Sequence, residues 1–182
     1  MMSIFDSAVS ALLAREGGFS NDASDAGGAT RWGITEFVAR KNGYTGAMDQ
    51  LPIELAKAIY KSEYWDTTNL DEVALLSFPV AQKLFDIGVN IGTGRAGLWF
   101  QQALNVFNRQ GRDYPDVQED EQIGPATISA FRALLAVRHS SGEVMMLRAL
   151  ACLQGVHYIQ RGQKRPANED FEAGWFLKRV WF

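Results

Sequence analysis

Glu16-Gly17-Gly18-Phe19, then Asp25, Gly27-Gly28, Thr30 and Trp32-Gly33-Ile34-Thr35, set a carboxylate at the close of an amphipathic segment and a glycine-rich loop directly after it. Upstream of it, Phe5, Val9, Leu12 and Leu13 recur at helical spacing, with Ser3 or Asp6 placed to cap the first turn. Gly17-Gly18 should stop that helix, because glycine takes the left-handed conformation of a C-cap without steric penalty. Glu16 then sits at the negative end of a helix dipole, beside Phe19 and within reach of Trp32. A negative helix end and apolar cover both disfavour the ionised carboxylate and raise its pKa. A carboxyl group kept protonated near neutral pH is what a general acid requires. Asp25 follows on a glycine-rich loop that can fold back over the helix end, and Asp22 competes with it as second carboxylate. The plainer reading makes Glu16 a surface residue before a C-cap and Asp25 a turn-former.

Outward from this stretch the pattern is helix after helix. Leu51, Leu55, Ala58 and Ile59 mark one, with Pro52 suited to its first turn. Val80, Leu84, Ile87 and Ile91 mark another, opened by Pro79; Trp99, Phe100, Ala103, Leu104 and Phe107 mark a third. After a polar loop from Asn108 to Asp120, Pro125 opens a helix carrying Ile128, Phe131, Leu134 and Leu135. The longest helix is expected from about Ser141 to Arg161, and a short aromatic one from Phe171 to Trp181. Outside a small β-hairpin near residues 28–35, no strand-length alternation occurs. The fold class is therefore mainly α.

The 182 residues, 47% of them apolar, suffice for a substantial core. No apolar run of roughly 18 residues marks a membrane span, and the N-terminus lacks the pattern of a signal peptide. Synthesis in the cytoplasm and delivery by another component are the expectation. The net charge of −3 argues against nucleic acid as the main partner. That charge is unevenly spread. Residues 1–131 carry 10 basic and 17 acidic side chains, a balance of −7, whereas residues 132–182 carry 8 and 4, a balance of +4. The single cysteine, Cys152, excludes an internal disulfide; flanked by Leu150, Ala151 and Leu153, it reads as a buried, inert thiol.

Gly92-Thr93-Gly94-Arg95-Ala96-Gly97 matches G-x-G-x-x-G literally, but helical spacing precedes it and no second βα unit follows. It reads as a helix–helix corner, not a nucleotide site. His139 and His157 have no His or Cys partner at ligand spacing, so no metal is expected. No other cofactor is implied, and no G-x-S-x-G serine motif is present.

The residues Arg15 to Asp22, Asp25 to Thr30 and Trp32 to Thr35 resemble glycoside hydrolase family 108, muramidases of phage-type endolysins and secretion-associated enzymes. Tyr64-Trp65 and Phe85-Asp86-Ile87-Gly88-Val89-Asn90 also resemble that family. Gln122-Ile123-Gly124-Pro125-Ala126-Thr127 with Ala130-Phe131 resembles the peptidoglycan-binding region at the C-terminus of such proteins. The spacing Glu16–Asp25–Thr30 is similar to the acid, carboxylate and threonine triad of phage lysozymes, with one residue fewer between the last two. The resemblance implies a lysozyme-like helical fold, with a catalytic region over residues 1–92 and a peptidoglycan-binding helical region over 93–182 packed with it. It implies hydrolysis of the β-1,4 bond between N-acetylmuramic acid and N-acetylglucosamine, by a monomer acting on glycan strands of the cell wall. Glu16 would be the general acid and Asp25 its partner, as two carboxyl groups serve most glycosidases. Thr30 would position a water or simply bond its own loop. Trp32, Tyr64 and Trp65 are candidate sugar platforms or else core rings, and Asn90 an acetamido contact or else a buried, satisfied amide. A lytic transglycosylase using Glu16 alone, and a non-catalytic wall-binding protein, are the alternatives.

Overall fold

Ser3 and Asp6 open the first helix together. The Ser3 backbone N–H and hydroxyl both donate to the Asp6 carboxylate, at 3.1 and 2.8 Å, and the Asp6 N–H donates to the Ser3 hydroxyl at 3.0 Å. This reciprocal arrangement is a capping box with aspartate in the glutamate position. The Ser3 hydrogen bonds hold the Asp6 carboxyl below the usual carboxylate range. The computed structural model describes residues 3–16, 18–20, 28–165 and 169–180.

Helix α1 (Ile4–Glu16) ends on Glu16, as the sequence predicts, and buries Phe5, Ala8, Val9 and Leu12. Gly17 lies outside the described residues, and Gly18 does not take the left-handed conformation expected of it. The hairpin pairs β1 (Thr30–Arg31) antiparallel with β2 (Ile34–Thr35). Thr35 also caps α2 (Glu36–Lys41) by accepting the Val38 N–H. Then come a tight turn (Met48–Gln50), α3 (Ile53–Tyr60), a wide π turn (Lys61–Trp65) and a second tight turn (Asp66–Thr68). Pro52 stands one residue ahead of α3, as its cap.

The remaining helices are α4 (Leu70–Leu76), α5 (Phe78–Asn90), α6 (Thr93–Phe107), α7 (Pro125–Arg138), α8 (Ser140–Lys164) and α9 (Glu169–Arg179). The described chain is mainly α, with the one hairpin as its sheet. It groups into two compact units, Met1–Thr67 and Thr68–Phe182. In the second, α8 is the axis: α5, α6, α7 and α9 all pack against it. Its inward face carries Met146, Leu147, Leu150, Ala151, Gln154 and Tyr158. Cys152 falls off that face and is exposed, correcting the expected buried thiol. Sequence neighbours on a helix lie about 100° apart, so flanking leucines do not imply burial.

The loop after α6 is fastened to it by amides on one helical face. Gln101 donates to the Asp120 carboxylate and the Gln122 carbonyl and accepts the Glu121 N–H. Asn105 exchanges two hydrogen bonds with the Val117 backbone, and Asn108 donates to Asp116. The glycines of G-x-G-x-x-G serve this packing. Gly92, with φ of 127°, turns the corner between α5 and α6, and the Glu121 backbone lies against Gly97. A Cβ on Gly97 would overlap the Glu121 carbonyl, whereas one on Gly94 would meet only the far end of the Glu121 side chain. Gly97→Ala is therefore expected to lose about 1–3 kcal/mol in urea denaturation, as overpacking does. Gly94→Ala should lose clearly less.

Candidate functional site

Glu16 is the last residue of α1, and four residues later the chain enters a backbone clamp. Ser20 and Thr30 form an antiparallel bridge in which each N–H donates to the other's carbonyl at 2.8 Å. Thr30 also pairs with Thr35 across the hairpin, so it is held from both sides. Asn21, Asp22, Asp25 and Gly27 lie outside the described residues, as does the side chain of Glu16.

The half-buried Thr30 hydroxyl donates to the Gly28 carbonyl at 3.3 Å. A hydroxyl keeps acceptor capacity while donating, so its oxygen remains able to accept a hydrogen bond from water. The Gly28 backbone has φ of 70°, a left-handed conformation that glycine adopts at no steric cost.

The hairpin turn has Trp32 and Gly33 as its two central residues, with φ of 56° and 77°. Two-residue turns with both central φ positive match the twist of the flanking strands, which explains Gly33. A tryptophan there is strained, by an amount on the order of 1 kcal/mol. Three contacts hold it. The indole N–H donates to the Leu51 carbonyl at 3.0 Å, the Tyr60 hydroxyl donates to the Trp32 carbonyl at 2.9 Å, and the Arg31 guanidinium lies 5.3 Å from the ring centre. The indole N–H is thereby committed to protein, while the ring itself is half-buried. Tyr60 escapes notice in the sequence because it reads as one more apolar position of α3.

The π turn separates the adjacent rings Tyr64 and Trp65. Trp65 is wholly buried and packs edge-on to Phe5, with ring centres 5.6 Å apart. A stacking platform needs an open face, and Trp65 has none. Tyr64 is half-buried beside Tyr60, and burial followed by the charge of Glu63 raises its hydroxyl pKa. The structure thus brings Thr30 and Trp32 together on the hairpin and keeps Tyr64 partly accessible in the same unit.

Asn90 belongs to the second unit, at the end of α5. Its Oδ1 accepts the Tyr158 hydroxyl at 2.7 Å. Tyr158 is also bonded by the Gln154 amide, which donates to Asp86 as well. Asp86 is buried and ion-paired to Arg179 at 3.1 Å, and the buried Lys83 ammonium donates to the Arg179 carbonyl at 2.7 Å. Burial pushes the Tyr158 hydroxyl up to about 12, so it stays a donor to Asn90. Residues from α5, α8 and α9 make this network. Its one local signal is the pair Lys83 and Asp86, charged and three residues apart inside an apolar helix pattern.

Among the described residues no group of His, Cys, Asp or Glu is arranged to hold a metal ion, and no helix is long and apolar enough to cross a membrane. Residues 9–92 match the family described as glycosyl hydrolase 108, and residues 95–180 match the family described as predicted peptidoglycan domain. No curated protein matches the chain in sequence. Among solved structures, SagA of Brucella abortus is similar, with a TM-score of 0.65 and 22% identity over 97% of this chain and 88% of that one. At that identity the likeness concerns the fold. The chain thus pairs a segment that matches the glycosyl hydrolase 108 family with one that matches the predicted peptidoglycan domain, which points to a glycoside hydrolase-type protein of peptidoglycan.

Proposed function

We propose that this protein is an N-acetylmuramidase that hydrolyses the β-1,4 bond between N-acetylmuramic acid and N-acetylglucosamine. Residues 1–92 carry the chemistry and residues 93–182 hold the wall. The observation that carries the reading is the Ser20–Thr30 clamp directly after Glu16. It ties Ser20, four residues after Glu16, to Thr30, so the sequence that bears Asp22 and Asp25 runs between two paired residues, and glycosidic cleavage needs two carboxyl groups. Glu16 protonates the leaving oxygen, helped by the negative end of α1, which favours its neutral form. Asp25 assists the attacking water, and the Thr30 hydroxyl supports that water through its acceptor capacity. Trp32 and Tyr64, both half-buried, offer ring surface to sugars, whereas Trp65 serves the core; in the second unit, Tyr158 keeps Asn90 oriented for an acetamido group.

A carboxylate that activates water stands about 6.5–9.5 Å from the acid, and the reaction then inverts the anomeric centre. A glycine-punctuated loop and a neighbouring threonine both favour that arrangement. Digestion of purified peptidoglycan should release reducing-end muropeptides, whose first-formed anomer is α by proton NMR before mutarotation. Anhydro ends in the mass spectrum would overturn hydrolysis in favour of transglycosylation. An initial β anomer would overturn the water-assisting role of Asp25.

A further inference from the structure

The C-terminal turns of α8 carry a groove of about 260 Å³ lined by His157, Gln160, Arg161, Lys164 and Arg165. His157, Gln160, Arg161 and Lys164 recur at three- and four-residue spacing and so share one face of the helix, and Arg165 follows as its C-cap. Two of its cationic or aromatic neighbours are fixed by packing. The Arg161 guanidinium lies 5.1 Å from the Trp175 ring centre, and Trp175 stacks on the buried Tyr158 at 5.2 Å. His157 sits edge-on to the buried Trp99 at 5.7 Å. A guanidinium stacked on an aromatic face loses less freedom when it binds an anion. Burial lowers the His157 pKa first, and the charges of Arg161, Arg95 and Lys164 then lower it further.

A helix C-terminus favours positive charge near its last carbonyls. That accounts for a lysine or an arginine there, but not for a concave surface with an amide and two packed aromatic residues beside the cations. The wider balance points the same way, since residues 132–182 are net +4 in a chain of net −3. The geometry points to this groove as the anion-recognition site of the C-terminal half, taking the free carboxylates of peptidoglycan peptide stems and so holding the chain on the wall during cleavage. This rests on the peptidoglycan reading above. Arg165 supplies a forked donor for carboxylate oxygens, Lys164 a point charge, and Gln160 an amide for the peptide, beside the Arg161 guanidinium packed on Trp175.

The test is co-sedimentation of the full chain with purified sacculi at low temperature, with muropeptide release measured on the same samples at working temperature. Lys164→Glu/Arg165→Glu should bind sacculi about tenfold or more weakly, with unchanged circular dichroism, as expected for reversing the field of a charged cleft. Sacculi with amidated carboxylates should lose wild-type binding to the same extent, a comparison that needs no altered protein. Sacculi stripped of phosphate polymers should bind as before; loss of binding to them would transfer the site to phosphate and overturn the carboxylate assignment. If the wild type digests walls and the double variant binds as well as it does, the groove assignment fails and the enzymatic reading stands. If the wild type binds through the groove without releasing muropeptides, the enzymatic reading fails and the groove stands. No binding and no digestion would overturn both.

Discussion

Glu16→Gln is expected to lower lytic activity by at least about 100-fold while leaving the fold intact. The substitution preserves shape and removes the transferable proton, and general acid catalysis contributes about 100- to 10,000-fold. Glu16 terminates α1, so its replacement disturbs no helical hydrogen bond beyond the last turn. Turbidity clearance of purified walls, read with the thermal midpoint, separates lost chemistry from lost folding. Retention of more than about a tenth of wild-type activity would remove Glu16 from the mechanism. The same assay ranks the loop carboxylates. Asp25→Asn should be more damaging than Asp22→Asn, and the reverse order would move the second role to Asp22.

The largest expected effect on stability comes from Asp86→Ala. Asp86 is 1% exposed and Arg179 12%, so the deletion removes the carboxylate from a largely buried guanidinium. Breaking a buried pair by removing one partner costs about 3–5 kcal/mol, because the remaining charge is uncompensated. The loss should extend to the Gln154 amide, which donates to Asp86, and through it to Tyr158 and Asn90. Removing both partners, in Asp86→Ala/Arg179→Ala, should cost clearly less than the sum of the single changes. Urea denaturation of the three variants measures that coupling, and strict additivity would show that the pair does not fasten α9 to α5.

This network also explains why the second family segment is not self-contained in packing. Lys83, Asp86 and Asn90 come from α5, inside the segment matched to glycosyl hydrolase 108, whereas Gln154, Tyr158 and Arg179 come from the segment matched to the peptidoglycan domain. The compact unit Thr68–Phe182 accordingly begins well before the second segment does.

Features set by local physics were legible in the residues alone. The end of α1 at Glu16, a hairpin near residues 28–35, and helices α5 to α8 follow from glycine and proline punctuation and the 3.6-residue period. Helices α2 and α4, with six and seven residues, are too short for that period to register. Tertiary structure alone decided what each face meets. Trp65 is core and Tyr64 half-open because a π turn divides two neighbouring rings. Cys152 is exposed because α8 is buried along another face, and Gly97 is required because the Glu121 backbone crosses it. The pairing of Asp86 with Gln154 and Arg179 spans 68 and 93 residues. Periodicity gives a helix its apolar stripe, but partners so distant in the chain are chosen only when the helices pack, since no local pattern encodes which stripe a buried charge will face.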